Sequence, residues 1–156
     1  MAVKVWWYYA LTLFLVAIDQ LSKYLIFGYI KRNHELVINP YLSLTHVHNP
    51  GAAFSFLGDG LVWQKTLLLV ISTAVSIAIV VWMSKINHHK TLKLSALSIL
   101  LAGAVGNLLD RYRSGSVLDF IDLHYQGFFW PIFNIADVLI TLGVVLLLIE
   151  SRGKHE

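Results

Sequence analysis

"FNIADVLITLG" (133–143) opens a segment that should not tolerate what it contains. Residues 138–149 are apolar apart from Thr141 and Gly143, and with residues 131–137 they are long enough to cross a bilayer. Asp137 stands near the start of this run, with no Lys or Arg within ten residues on either side. A carboxylate there is costly, and a helix-dipole contribution of under about 1 kcal/mol does not require burying it.

The rest of the chain has the same character. Its 156 residues are 57% hydrophobic and only 13% charged, with a mean hydropathy of +0.67, too apolar for a water-soluble domain of this size. Four segments are candidate membrane helices, at about 5–26, 61–83, 94–109 and 131–149. The third is short and is expected to run past Leu109 or to tilt little. The first carries Asp19 and Lys23 where its apolar core would end and has no small-residue cleavage site, so it reads as a retained helix. The reading is an all-α membrane protein of one polytopic domain, 1–156.

Short basic loops set the orientation. "SKINHHKTLK" (84–93) holds Lys85, Lys90 and Lys93 and no acid, Lys4 precedes the first segment, and Arg152 and Lys154 follow the last. The positive-inside rule places these regions and both termini in the cytoplasm. The connections 27–60 and 110–131 then face outside. Trp6, Trp7, Tyr8 and Tyr9, and Phe128, Phe129 and Trp130, suit interfacial belts. The pI near 9.2 is thereby a topology signal, and no motif suggests nucleic acid. With no cysteine, disulfides and thiolate chemistry are excluded. In the outer loop 27–60, alternating Leu42 and Leu44, then Val47, between the turn signals Asn39-Pro40 and Asn49-Pro50-Gly51 predict short strands.

This topology gathers the unusual polar residues into one layer near the outer face. Asp19 and Lys23, four apart, can pair. Asn107, Asp110 and Arg111 end the third helix, and Asn134 and Asp137 share a face at the start of the fourth. Bland roles exist for most. Asp19–Lys23 can be a structural ion pair, Asp110 and Arg111 a helix end, Gly103 and Gly106 a close helix contact. Asp122 can be a solvated acid and His88-His89 part of a solvated loop. His46 and His48 share one face of a strand, but no carboxylate spacing completes a zinc set, and neither a metal nor any other cofactor is expected.

Two carboxylates meeting in a partly dry site share one proton. The ionised member takes a proton from water, and the protonated one donates to the scissile carbonyl. Asp137 would be one partner. The outer connection offers Asp119 and Asp122, and the residues alone do not choose between them. A proton-coupled transporter using Asp19, Lys23 and Asp137 is the alternative. It predicts carboxylates spread through the membrane depth and inverted repeats, and the sequence has neither. A noncatalytic assembly factor leaves the aspartates unexplained.

"DQLSK" (19–23), "NPGAAF" (49–54), "GNLLDR" (106–111), "VLDF" (117–120) and "FNIAD" (133–137) occur in this order. Together they resemble the bacterial lipoprotein signal peptidases, signal peptidase II, over the whole chain. The resemblance implies an aspartic endopeptidase of the inner membrane that removes signal peptides from prolipoproteins by cutting before a diacylglyceryl-modified cysteine. It implies four helices with a small outer β-platform, an active site near the periplasmic face, and membrane lipids as surroundings of a monomer. It places the catalytic pair on Asp119 and Asp137. Asn49, Asn107, Arg111 and Asn134 become substrate-binding or site-shaping residues, Asp110 orients Arg111, and Asp19 and Lys23 support the site.

Overall fold

The computed structural model describes residues 5–51 and 60–152; Lys4, Lys154 and residues 52–54 of the NPGAAF motif lie outside them. In chain order the elements are α1 (Trp6–Tyr29), β1 (Glu35–Asn39), β2 (Leu42–Asn49), α2 (Val62–Ser84), α3 (Thr91–Ser114), β3 (Val117–Tyr125), β4 (Phe128–Phe129) and α4 (Ile135–Arg152). Three of these helices, α1, α2 and α3, are long and apolar enough to cross a membrane. α4 holds Asp137, Glu150 and Arg152 among its 18 residues. The outward faces match an apolar surrounding: Leu13, Phe14 and Val62 are 71%, 62% and 81% exposed, a lining that water would penalise.

α3 is the central helix, with α1, α2 and α4 packed against it. Missing side chains let α4 come close. A Cβ on Gly103 would collide with the Ala136 carbonyl and with Ile140, and one on Gly143 would lie 2.7 Å from the Leu100 backbone N. Gly106 makes the same allowance for a side chain, since its Cβ would sit 2.6 Å from Asp19 Oδ2. These are the close approaches expected of small residues between membrane helices. α3 runs on to Ser114 and stops at Gly115, whose φ of +69° is left-handed and whose N–H returns to the Arg111 carbonyl.

Apolar packing fixes both ends. Tyr8 packs with Ile79, Met83, Leu94 and Leu97, so it belongs to the core and not to an interfacial belt, while Trp6 and Trp7 are exposed and stacked. At the other end Ile26 and Ile30 pack under Leu118 and Phe120, joining α1 to the sheet.

The sheet is antiparallel, in the order β1-β2-β3-β4. Its first hairpin turns where expected, with the Asn39 side chain accepting from the Tyr41 N–H. Half of it, however, comes from the connection between α3 and α4, for which no strand is predicted. β3 and β4 are joined through Gln126 and Gly127, both at positive φ, as a two-residue hairpin turn requires. β2 carries one extra residue between Leu44 and Val47 against β3. This bulge turns both Thr45 and His46 into buried positions.

Candidate active site

β3 and the start of α4 bring the two aspartates together. Strand periodicity puts Asp119 and Asp122 on opposite faces of β3. Asp119 is 4% exposed and faces the helices, on the wall of a cavity of about 820 Å³ that Asp137 also lines. Asp122 points elsewhere, with His124 Nδ1 at 3.6 Å.

Amide groups link the two carboxylates. Asn134 Nδ2 donates to Asp119 Oδ1 at 2.6 Å and to Asn107 Oδ1 at 3.2 Å. Asn107 Nδ2 donates to Asp137 Oδ1 at 2.8 Å. Asn134 and Asp137 also cap the helix reciprocally: the Asn134 N–H donates to Asp137 Oδ2 at 3.1 Å and the Asp137 N–H to Asn134 Oδ1 at 3.0 Å. The sequence N-x-x-D therefore aims Asp137 and starts α4 at once. Asn49, at the end of β2, donates from Nδ2 to Asp119 Oδ2 at 3.1 Å.

Burial, then the charge of Asp137, pushes the Asp119 carboxyl from 3.8 up to about 6, against the Asn49 and Asn134 amides and the Lys23 charge that hold it down.

α1 supplies the support beneath. Lys23 Nζ lies 2.9 Å from Asp19 Oδ2 and 2.8 Å from Asp110 Oδ2, and donates to Asn107 Oδ1 at 3.2 Å. Asp19 Oδ1 accepts from the Ala136 N–H at 2.9 Å, tying α1 to the first turn of α4. The Asp110 carboxylate turns to Lys23, Gln20 and the Leu118 N–H. Among the described residues, Arg111 has other partners: Ser72 Oγ at 3.4 Å, the Asn107 carbonyl at 3.5 Å and the Gly51 carbonyl at 3.4 Å. Asp110 thus bonds α1 and the start of β3, and its charge also acts on Arg111.

Gln20 escapes the sequence reading. Its Nε2 donates to Asp19, the Gly106 carbonyl and Asp110, and Arg113 holds its Oε1 at 2.7 Å. Its place beside Asp19 in "DQLSK" is the available signal. The nitrogens of His46 and His48 are spent on the Ile30 carbonyl, on each other and on Ser116.

The cavity walls are otherwise apolar. Ile71 and Val75 come from α2, Val138, Ile140 and Val145 from α4, and Trp130, Ile132 and Phe133 from the segment before it. The polar lining is Asn49, Ser72, Asn107, Arg111, Asp119, Asp137 and Thr141. An extended chain with apolar substituents matches such a cleft.

Apolar helices capped by a small sheet, with two carboxylates turned into one cleft, define a membrane enzyme of the aspartic type. The family model for signal peptidase (SPase) II matches residues 11–152, and the chain belongs to that family, which makes it a protease. A lipoprotein signal peptidase of Cellvibrio japonicus is 40% identical over 146 residues, covering 93% of this chain and 86% of that protein. One of Pseudomonas syringae pv. tomato is 42% identical over 142 residues, covering 90% and 82%. A solved bacterial membrane enzyme superposes with a TM-score of 0.85 at 35% identity, covering 96% of this chain and 89% of its own.

Proposed function

We propose that this protein removes signal peptides from prolipoproteins, cutting before a diacylglyceryl-modified cysteine, with Asp119 and Asp137 as the catalytic pair. The observation that carries the reading is the joining of those two carboxylates through Asn134 and Asn107 on one cavity wall.

The steps follow from that geometry. Asp119, the more deeply buried of the two carboxyls, enters with the shared proton, and Asp137 acts as the base. Asp137 takes a proton from a water whose oxygen attacks the scissile carbonyl carbon, while Asp119 gives its proton to the carbonyl oxygen. A gem-diol results, with the protons exchanged between the two carboxyls. Asp137 then protonates the amide nitrogen, the C–N bond breaks, and one gem-diol hydroxyl returns its proton to Asp119. The products are a carboxylic acid and an amine, and the pair regains its starting state. Asn49 and Asn134 hold Asp119, and Asn107 holds Asp137. Arg111 and the second N–H of the Asn107 amide receive the substrate backbone, whose groups would otherwise stand unpaired in lipid.

α4 is a fourth membrane span. Its 18 residues rise about 27 Å, and residues 131–134 lead into it. Both termini are cytoplasmic, the sheet lies on the outer, periplasmic face of the plasma membrane, and the apolar cavity walls meet the acyl chains of the substrate. The protein acts as a single polytopic domain, 1–156, and as a monomer. The test is cleavage by the purified protein of two prolipoproteins that differ only in diacylglyceryl on the cysteine. Cleavage of the modified form alone supports the reading; equal cleavage of both, or of neither, contradicts it.

A further inference from the structure

The rings of His46 and His48 take no part in the steps above, yet they are held in a defined way. His46 is 4% exposed, and its Nδ1 lies 2.6 Å from the carbonyl oxygen of Ile30, which ends α1. Its Nε2 lies 3.3 Å from His48 Nε2, and His48 Nδ1 lies 2.9 Å from Ser116 Oγ, between α3 and β3. A carbonyl only accepts, so His46 Nδ1 carries a proton and, in the neutral ring, His46 Nε2 is the acceptor. His48 Nε2 must then donate, and His48 Nδ1 accepts from the Ser116 hydroxyl. The direction of every link is fixed, from Ser116 through both rings to Ile30.

The charged and titratable groups acting on His48 are Arg32, His46 and Asp110. Burial, then Arg32 and His46, holds its ring below the ordinary imidazole value, against Asp110, which favours the neutral His48 ring that these links need. The relay ties the end of α1 and the start of β3 to β2. On the β2–β3 ladder His48 faces Leu118 and Asn49 faces Val117. The relay thus clamps the short stretch from which the Asn49 amide reaches Asp119 Oδ2 at 3.1 Å.

We propose that His48 is a positioning residue for the cleavage reaction: through His46 on one side and Ser116 on the other, it holds the end of β2 so that the Asn49 amide stays on the Asp119 carboxyl. The proposal rests on the reading of Asp119 as half of the catalytic pair.

His48→Phe keeps a ring and removes both links, and Ser116→Ala removes one link and leaves both rings. Each full-length variant is assayed on lipid-modified prolipoprotein for kcat, KM and the pH dependence of kcat/KM, with thermal unfolding alongside. A carboxyl that loses a donor holds its proton more tightly. The alkaline fall of kcat/KM should therefore move up by about half a pH unit in His48→Phe, with kcat down about five- to tenfold and KM within about twofold. Asn49→Ala should give the same displacement, and His48→Phe should add nothing to it in the double variant. A packing defect alone lowers activity without moving the profile. An unmoved profile in folded variants, or a displacement that adds to that of Asn49→Ala, overturns the proposal. If His48→Phe fails to fold, Ser116→Ala decides by the same criteria. Activity in Asp119→Asn would sink the catalytic reading itself, whereas an inactive Asp119→Asn beside an unmoved His48→Phe profile sinks only the relay.

Discussion

Replacing Asp119 by asparagine should stabilise the protein in alkali and not in acid. The carboxyl is buried at 4% exposure, and its pKa rises from 3.8 to about 6 on folding. A raised folded-state value means that its stabilising contribution is complete below 3.8, is lost as pH rises through about 6, and is absent above that. At about 1.36 kcal/mol per unit, the loss is about 3 kcal/mol between acid and alkali. An asparagine side chain in its place would not titrate. It would keep an oxygen for the Asn134 amide but turn an NH₂ toward Asn49 Nδ2, which now donates at 3.1 Å, at a cost of about 1–2 kcal/mol. The variant should therefore be about 1–2 kcal/mol more stable than the parent at about pH 8 and less stable by a similar amount at about pH 4. For a chain of this length 1 kcal/mol moves Tm by about 2–4 °C, so the difference in Tm should swing by roughly 6–12 °C across that range. Tryptophan fluorescence melts in a non-ionic detergent, at one scan rate, read it directly. Groups common to both proteins cancel. A difference that stays constant with pH, or that favours the variant in acid, would refute the placement of Asp119 as a buried carboxyl beside a second charge.

Gly103→Val should prevent stable folding, because its Cβ would meet the Ala136 backbone and Ile140; size-exclusion profiles of membrane extracts check this, and a well-folded variant would contradict the α3–α4 contact. Lys23→Met leaves the buried Asp19 and the partly buried Asp110 without their cation and should cost about 3–5 kcal/mol. Adding Asp110→Asn should recover part of that loss in the same melts. Reporter fusions at His89 should read cytoplasm and those at Gln126 the outside. The reverse would invert the topology.

Much of the fold is legible because apolar length acts over whole segments. Asp19 and Lys23, four apart on one helix, pair as their spacing requires, and β2 lies between Asn39-Pro40, where the β1–β2 hairpin turns, and Asn49-Pro50-Gly51. Gly103 and Gly106 mark close helix approaches. The connection between α3 and α4 hides its strands because "VLDFIDLHY" follows the end of a helix directly. Its alternation is also blurred: residues 117–120 are buried on both faces. Read as a strand, it separates Asp119 from Asp122 by period alone. The partner of Asp110 is not legible either. Adjacent Arg111 suggests itself, but successive helix positions diverge by about 100°, and the cation that reaches Asp110 comes from α1. Gln20 is invisible for the same reason, since its acceptors on α3 lie 86 and 90 positions away.

Whether Asp119 and Asp137 together do the chemistry is decided by one comparison of variants. Asp119→Asn, Asp137→Asn and Asp122→Asn, purified to equal amounts and shown folded by their melts, are given the same lipid-modified prolipoprotein. General acid–base groups contribute about 10² to 10⁴ in rate, and here each aspartate serves in both roles. The first two variants should show no detectable cleavage and the third near-parental cleavage. Turnover by folded Asp119→Asn or Asp137→Asn, or its loss in Asp122→Asn alone, would contradict it.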